Sequence, residues 1–185
     1  MATPKRSQAR RAVSTPRTAR RSGPPPKRVP NEVAARYRAG GEQKVIDRLA
    51  RFGRVEKYPL QRMVVLHRLP DVAAAKVQAA LNDLQQAGLV EFVTPVLLDP
   101  DSHTRQVLTD EIVLRLKPGR TAHRLAALKA AHGIEIGQRN KFEPSQYIVK
   151  VPKPSGTQTL DVARSLDQSD DVEFASPNFL TQIKR

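Results

Sequence analysis

The chain has 185 residues and a formal net charge of +14, from 32 Lys and Arg against 18 Asp and Glu. This length allows one domain of ordinary size or two small ones. Cysteine is absent, which excludes disulfide scaffolds, cysteine zinc sites and thiol catalysis. Aromatic residues make up 4% of the chain and Trp is absent, so few rings are available to stack on single-stranded nucleic acid.

The first 29 residues form a basic segment. Nine basic residues and no acidic ones lie among the first 30 positions, so most of the net charge belongs here. The segment is rich in Pro, Ser, Thr and Arg and holds almost no large apolar side chain, so burial cannot offset the entropy lost on ordering. We therefore predict a disordered basic tail over residues 1–29. Attraction to phosphates needs only charge, which leaves open an alternative function: binding nucleic acid or another anionic surface through this tail.

The sequence predicts no membrane association. No run of residues approaches the roughly 18 apolar positions of a membrane span. The basic start is not followed by the apolar segment of a secretory signal peptide. We therefore expect a cytoplasmic location.

Residues 30–99 are predicted to form a first folded unit. Apolar residues at helical spacing predict helices over 42–52 and 72–87. Gly53 is expected to end the first helix in the left-handed conformation. The predicted strands are 32–38, 54–59, 62–69 and 89–97.

Residues 104–185 are predicted to form a second unit after a linker at 99–102. Helices are expected over 122–132 and 157–167, with Gly133 as the left-handed residue that ends the first of them. The predicted strands are 107–117, 134–140, 145–151 and 171–180.

The two predicted units are similar in sequence. Residues 90–95, VEFVTP, recur as VEFASP at 172–177, and residues 65–70 align without a gap on 147–152. The first strands share a spacing, Glu32-Val33-x-x-Arg36 and Glu111-Ile112-x-x-Arg115. Each unit reads strand, helix, strand, strand, helix, strand, the order of the ferredoxin-like fold, whose antiparallel sheet carries both helices on one face and leaves the other open. We predict an α+β protein with two tandem ferredoxin-like units after the tail.

The sequence contains no catalytic or metal-binding pattern. The histidines lack HxH, HExxH or HxxxH spacing to a second ligand, so solvated or capping roles are expected for all of them. They are His67, His103, His123 and His132. The acidic pairs Asp110-Glu111 and Asp170-Asp171 would point to opposite faces of a strand and cannot converge on one substrate. We predict that the chain is not an enzyme and has no catalytic residue, no metal and no cofactor.

Four segments of the second unit carry a resemblance to a known family. They are TDEIVLRLKPG at 109–119, GIE at 133–135, YIVKVP at 147–152 and DVEFASPNF at 171–179. In this order they resemble the propeptides of subtilisin-like serine proteases, and the likeness covers about residues 107–183. The first unit resembles a degenerate second copy of the same propeptide.

The resemblance implies an inhibitor or folding chaperone that forms a one-to-one complex with a subtilisin-like serine protease. In that family the open sheet face packs on two surface helices of the protease, and polar residues past the last strand cap the helix N-termini. Those positions fall on Ser176 and Asn178, where family members often carry acidic residues. The following segment lies in the active-site cleft like a cleaved product, with Lys184 or Arg185 in the primary specificity pocket. The protease-binding residues implied are Phe174, Ser176, Asn178, Phe179, Leu180, Thr181, Gln182, Ile183, Lys184 and Arg185.

Several alternatives stay open at this point. The sequence ends at Arg185 with no protease domain following, and it has no signal peptide, which favours an independently made inhibitor or chaperone over a propeptide excised from a precursor. A ferredoxin-like scaffold that dimerises through its open sheets is another interpretation, because this fold hosts many unrelated functions.

Overall fold

Eight strands and four helices occur in the part of the chain that the computed structural model describes, residues 26–119 and 122–181. The strands are β1 (Lys27–Tyr37), β2 (Gly53–Tyr58), β3 (Met63–Arg68), β4 (Val90–Leu98), β5 (Arg105–Leu116), β6 (Glu135–Arg139), β7 (Gln146–Lys150) and β8 (Val172–Thr181). The helices are α1 (Glu42–Leu49), α2 (Ala74–Gln86), α3 (Ala122–His132) and α4 (Gln158–Asp167), and a 3-10 helix, Pro59–Gln61, joins β2 to β3. The predicted α+β class with an antiparallel sheet is confirmed.

The strands form one sheet in which neighbours are antiparallel. We call β1–β4 with α1 and α2 the first half, and β5–β8 with α3 and α4 the second half. The strand order is β2-β3-β1-β4 in the first half and β8-β5-β7-β6 in the second. The halves join where β4 pairs with the start of β5, with Val96 opposite Val107. Because β4 and β7 pair with successive stretches of β5, β8 runs along the opposite edge of β5.

The two halves share a register and an irregularity. Arg36 lies opposite Phe92 in the first half, and Arg115 lies opposite Phe174 in the second. A register shift follows each pair, between Arg36 and Tyr37 and between Arg115 and Leu116. The arginine beside each shift pairs with a glutamate of the last strand: Arg36 Nε lies 3.3 Å from Glu91 Oε2, and Arg115 Nε lies 3.2 Å from Glu173 Oε2.

The gapless alignment of residues 65–70 on 147–152 is wrong by one position. Leu66 lies opposite Val33, and Val149 lies opposite Ile112, so Leu66 corresponds to Val149 and not to Ile148. The physical reason is the preceding hairpin, whose loop is longer between β6 and β7 than between β2 and β3.

Each half buries an apolar cluster between its sheet and its helices. Alternate strand residues supply one side of each cluster, as the two-residue period of a strand requires. The first cluster is Ala35, Tyr37, Val45, Leu49, Val64, Leu66, Val77, Leu81, Leu84 and Val90. The second is Ile112, Leu114, Leu116, Leu125, Leu128, Ile134, Val149, Val151, Ala163, Leu166 and Val172.

The boundary of the predicted tail is wrong by a few residues. Strand β1 begins at Lys27, where Lys27 lies opposite Leu98 and Arg28 opposite Leu97. Residues 27–29 therefore belong to the sheet, and Val29 packs against buried residues of the first half. The remainder of the predicted tail, residues 1–25, lies outside the described residues.

The predicted linker is a structured turn between two paired strands. The Asp99 carboxylate accepts hydrogen bonds from the main-chain N–H groups of Asp101 (3.1 Å) and Ser102 (2.8 Å) and from the side chain of Gln106 (3.1 Å). Asp99 is itself buried. This turn holds the end of β4 against the start of β5.

One of the two predicted helix-ending glycines has the expected conformation. Gly133 has φ +63°, as predicted. Gly53 was predicted to do the same and instead begins β2 without a positive φ. A Cβ at Gly53 would overlap the main-chain carbonyl oxygen of His67, so close strand approach is what requires glycine there.

Candidate docking face

The second half has a half-exposed apolar surface on the side of its sheet away from the helices. The register places Val113 beside Ile148 on β7 and beside Ser176 on β8, and it places Phe174 opposite Arg115. Val113, Ile148 and Phe174 are half-buried and Ser176 is exposed. We call these four residues the docking face.

The first half buries the corresponding surface. Ala34, Val65, Phe92 and Thr94 occupy the equivalent positions, and all four are buried. They belong to or adjoin an apolar group that we call the closing cluster: Ala34, Met63, Val65, Phe92, Val96 and Val107, with Val29, Tyr58 and Leu180 packed against it. The second half therefore presents its sheet face where the first half has closed its own.

Ser176 and Asn178, the two residues expected to cap protease helices, lie within β8 and not past the last strand. Ser176 is exposed, as that role requires. The Asn178 side-chain amide donates a hydrogen bond to Glu111 Oε2 (3.0 Å), and the Asn178 carbonyl oxygen accepts one from the Thr109 hydroxyl (2.8 Å). Two hydrogen bonds therefore hold Asn178 against β5, and the sequence did not predict them.

The segment expected to lie free in a protease cleft is partly built into the sheet. Phe179, Leu180 and Thr181 are paired with Leu108, Val107 and Gln106 at the end of β8. Leu180 also packs against the closing cluster. Leu180 and Thr181 were expected to belong to the free segment; this is wrong, because the start of β5 offers them a partner strand. Gln182, Ile183, Lys184 and Arg185 lie outside the described residues.

Charged side chains border the docking face. Arg115 Nη2 donates to Glu143 Oε2 (3.1 Å), and Arg115 Nε faces Glu173. The Ser145 hydroxyl donates to Glu143 (2.7 Å) and, with a weaker contribution from Arg115, holds the pKa of the Glu143 carboxyl below its usual range. Lys150 Nζ lies 3.7 Å from Glu111 Oε1. The border of the face therefore carries both signs of charge.

A histidine lies between two carboxylates on the other half. His67 Nδ1 is 3.2 Å from Glu32 Oε1, and Nε2 is 3.1 Å from Glu56 Oε2. Arg105 Nη2 lies 2.6 Å from Glu32, which is buried. The solvated or capping role expected for His67 is wrong, because strand pairing sets Glu32 directly opposite it. The sequence of β3, MVVLHR, has no alternation of polar residues that could have signalled this cluster.

An open cleft of about 460 Å³ lies at the junction of the halves. Arg36 contacts two of its lining residues, with Nη1 2.5 Å from Asp110 Oδ1 and Nε 3.3 Å from Glu91 Oε2, and so joins the halves. The lining residues are Arg38, Ala39, Arg62, Glu91, Phe92, Asp110 and Lys153. The lining includes no Ser, Thr, Cys or His side chain.

The described residues offer neither a metal site nor a membrane-spanning helix. Within residues 26–119 and 122–181, no group of three or more His, Cys, Asp or Glu side chains is placed to hold a metal ion. Over the same ranges, no helix is long and apolar enough to cross a membrane.

No family model matches the chain, and no curated protein matches it. Three chains of known structure are similar to it, including the following two. The acetolactate synthase small subunit from Thermotoga maritima is 14% identical, with a TM-score of 0.28, over 83% of this chain and 98% of that one. A protein described as a candidate glycine cleavage system transcriptional repressor is 13% identical, with a TM-score of 0.26, over 82% of this chain and 96% of that one. TM-scores this low carry no argument about fold or function.

Proposed function

We propose that this chain is not an enzyme but a protein inhibitor or folding chaperone of a subtilisin-like serine protease, acting in the cytoplasm as a one-to-one complex. The observation that supports it best is the docking face, a half-exposed apolar sheet surface in the half whose sequence resembles the propeptide family. Scattered exposed apolar residues need no explanation, but a contiguous group on one sheet face is typical of an interaction surface.

We also infer that the two halves are tandem copies of one ferredoxin-like, propeptide-type unit. Both halves have the same strand order and a register shift at the same place on the first strand. Both set an arginine beside that shift against a glutamate, Arg36 with Glu91 and Arg115 with Glu173. After a duplication, both copies would keep the register shift and the Arg–Glu pair while their surface residues changed.

In this proposal the second half docks and the first half supports it. The apolar side chains of the first sheet face are already out of water, with Phe92 only 2% exposed, so a partner could gain little more burial there. Phe174, at the equivalent position of the second half, is half-buried and still has apolar area to lose on binding. Ser176 lies beside it as a polar group that can accept from a helix N-terminus.

Residues 182–185 would occupy the active-site cleft like a cleaved product, because Leu180 and Thr181 already belong to β8. An extended segment can add as a strand to the edge of a cleft, with main-chain hydrogen bonds giving affinity and side-chain pockets giving specificity. Lys184 or Arg185 would then fill the primary pocket. Phe179–Thr181 would set the direction in which the segment leaves the sheet.

Titration tests the proposal. The full chain is added to a panel of mature subtilisin-like serine proteases, and hydrolysis of a small chromogenic peptide is followed. For one protease or more, activity should fall to near zero close to one equivalent, and a one-to-one complex should elute from a sizing column. If no protease is inhibited and no complex elutes, the proposal is wrong.

Two matched variants locate the contact. Ile148→Asp places a charge on the docking face and should weaken inhibition at least tenfold, because a desolvated charge opposes burial of the face. Leu69→Asp makes the same kind of change at an apolar residue of the first half that is 49% exposed, and it should leave inhibition unchanged. Equal effects of the two variants would place the contact elsewhere.

A further inference from the structure

Phe142 is the most exposed of the large apolar side chains in the described residues, at 97%. It lies in the loop between β6 and β7, residues 140–145, which we call the anchor loop. Leaving a phenylalanine ring in water forgoes the favourable transfer free energy that burial of an apolar side chain provides. A chain with five Phe residues exposes one of them almost completely here.

The anchor loop is held in place by its own hydrogen bonds. The Phe142 N–H donates to the Asn140 side chain (2.9 Å), and the Asn140 N–H donates to the Gln146 carbonyl (2.9 Å). The Gln146 N–H donates to the Glu143 carbonyl (2.9 Å), and Arg139 Nε donates to the Pro144 carbonyl (2.7 Å). A side chain presented by an ordered turn loses less entropy on binding than one on a free loop.

The anchor loop is also tied to the docking face. Arg115, whose strand neighbour is Phe174, donates to Glu143 of the loop at 3.1 Å. The Ser145 hydroxyl holds the other Glu143 oxygen at 2.7 Å. The loop that carries Phe142 is therefore tied to Arg115, which borders the half-exposed apolar surface, so a partner covering that surface would meet the loop.

The first half provides an internal comparison. Leu60 lies in the corresponding loop between β2 and β3 and is 94% exposed. Arg36, the equivalent of Arg115, contacts Glu91 and Asp110 and not the loop. The sheet face on that side is closed, so Leu60 has no open apolar surface beside it.

Two basic residues precede Phe142, Lys141 on the anchor loop and Arg139 at the end of β6. Lys141 is exposed, and the Arg139 guanidinium lies 5.8 Å from the ring centroid of Tyr147. The acidic side chain of the loop, Glu143, is already engaged by Arg115. A complementary surface would have an apolar pocket with acidic groups at its rim.

From these observations we infer that Phe142 is the anchor of the complex and inserts into an apolar, acid-rimmed pocket on the partner. This inference rests on the proposed function, and the partner is the subtilisin-like protease that the docking face covers. Interface hot spots are dominated by a few side chains, aromatic ones and Arg above all, that fill pockets on the partner.

The experiment compares Phe142→Ala with Leu60→Ala in the full chain, against a protease that the unaltered chain inhibits. Phe142→Ala should raise the inhibition constant about 30-fold, the size of a hot-spot truncation, while Leu60→Ala should change it less than about twofold. Both variants should unfold at the same urea concentration as the unaltered chain, because neither side chain is buried. Lys141→Glu should slow association more at low salt than at high salt, and Lys76→Glu on α2, an exposed residue with the same charge change, should not.

The outcomes separate this inference from the proposed function. If the unaltered chain inhibits and Phe142→Ala inhibits equally well, the anchor is wrong and the proposed function stands. If the unaltered chain inhibits no protease, both are wrong. If Phe142→Ala abolishes self-association on a sizing column without changing inhibition, the occupant is a second copy of this chain and the inference is again wrong.

Discussion

Arg36 on β1 and Asp110 on β5 form an ion pair across the junction of the two halves, with Nη1 and Oδ1 2.5 Å apart. The two side chains are 16% and 14% exposed. Arg36 also contacts Glu91 and lies 5.8 Å from the ring centroid of Phe92. The Arg36 guanidinium therefore connects the register shift of the first half to β5, the first strand of the second half.

Breaking this pair should destabilise the protein. Arg36→Met leaves the Asp110 and Glu91 carboxylates without their shared partner, and removing one member of a mostly buried pair costs about 3 kcal/mol. Urea unfolding measures the loss. Arg48→Met is the control, because it breaks the Arg48–Asp83 pair, which is 3.0 Å long but exposed on both sides, and it should cost less than about 1 kcal/mol. Equal losses would show that Arg36 does not join the halves.

The order of the elements could be predicted because local chemistry determines it. Helical spacing of apolar residues located the four helices, and the repeated VEF-x-x-P pattern located β4 and β8. The closing of the first sheet face could not be predicted, since the closing cluster combines residues of β1, β3, β4 and β5, and Leu180 of β8 packs against it. The identities of Ala34 and Val113, at equivalent positions, do not say which one will be covered.

The site was predicted less completely for the same reason. Phe174 and Ser176 lie on the face where strand alternation puts them. Leu180 and Thr181 were expected to be free because nothing in their own sequence shows that β5 extends far enough to pair with them. The ion pair between Arg115 and Glu143 depends on how the loop folds back on the sheet. A charged residue in a loop does not by itself indicate which residue it will contact.

Acid should weaken the fold through Glu56. Burial raises the pKa of this carboxyl, but hydrogen bonds with His67 and Tyr58 outweigh it and hold the pKa below its ordinary value. The unfolded chain therefore takes up a proton at higher pH than the folded one, so Glu56 contributes stability near neutral pH that is lost as the pH falls below the ordinary value of about 4.3.

Urea unfolding at a series of pH values checks this. Glu56→Gln should lower the free energy of unfolding at pH 7 and flatten its decline between about pH 5 and 3. Tyr58→Phe, which removes the donor 3.0 Å from Glu56 Oε1, should flatten the decline partly. Curves for Glu56→Gln and the unaltered chain that stay parallel over this range would contradict the prediction.

Removal of residues 1–25 should leave protease inhibition unchanged and abolish any binding to duplex DNA. Those residues carry much of the net charge, and DNA binding through them should fall steeply with salt because released counterions supply the affinity. The shortened chain begins at Pro26, because β1 starts at Lys27 and a later start would remove part of the sheet. If removal of residues 1–25 abolishes inhibition, these residues are part of the inhibitory surface.

Deleting residues 182–185 should separate binding from inhibition. The deletion leaves β8 intact to Thr181, so the chain should keep its urea midpoint and still form a one-to-one complex through the docking face. It should no longer block a small chromogenic substrate, because no segment then occupies the cleft. Leu180→Asp is the contrasting variant: it places a charge against the closing cluster and should cost about 1–3 kcal/mol of stability. If the four-residue deletion inhibits as well as the unaltered chain, the product-like mechanism is wrong, and the docking face alone must keep substrate out.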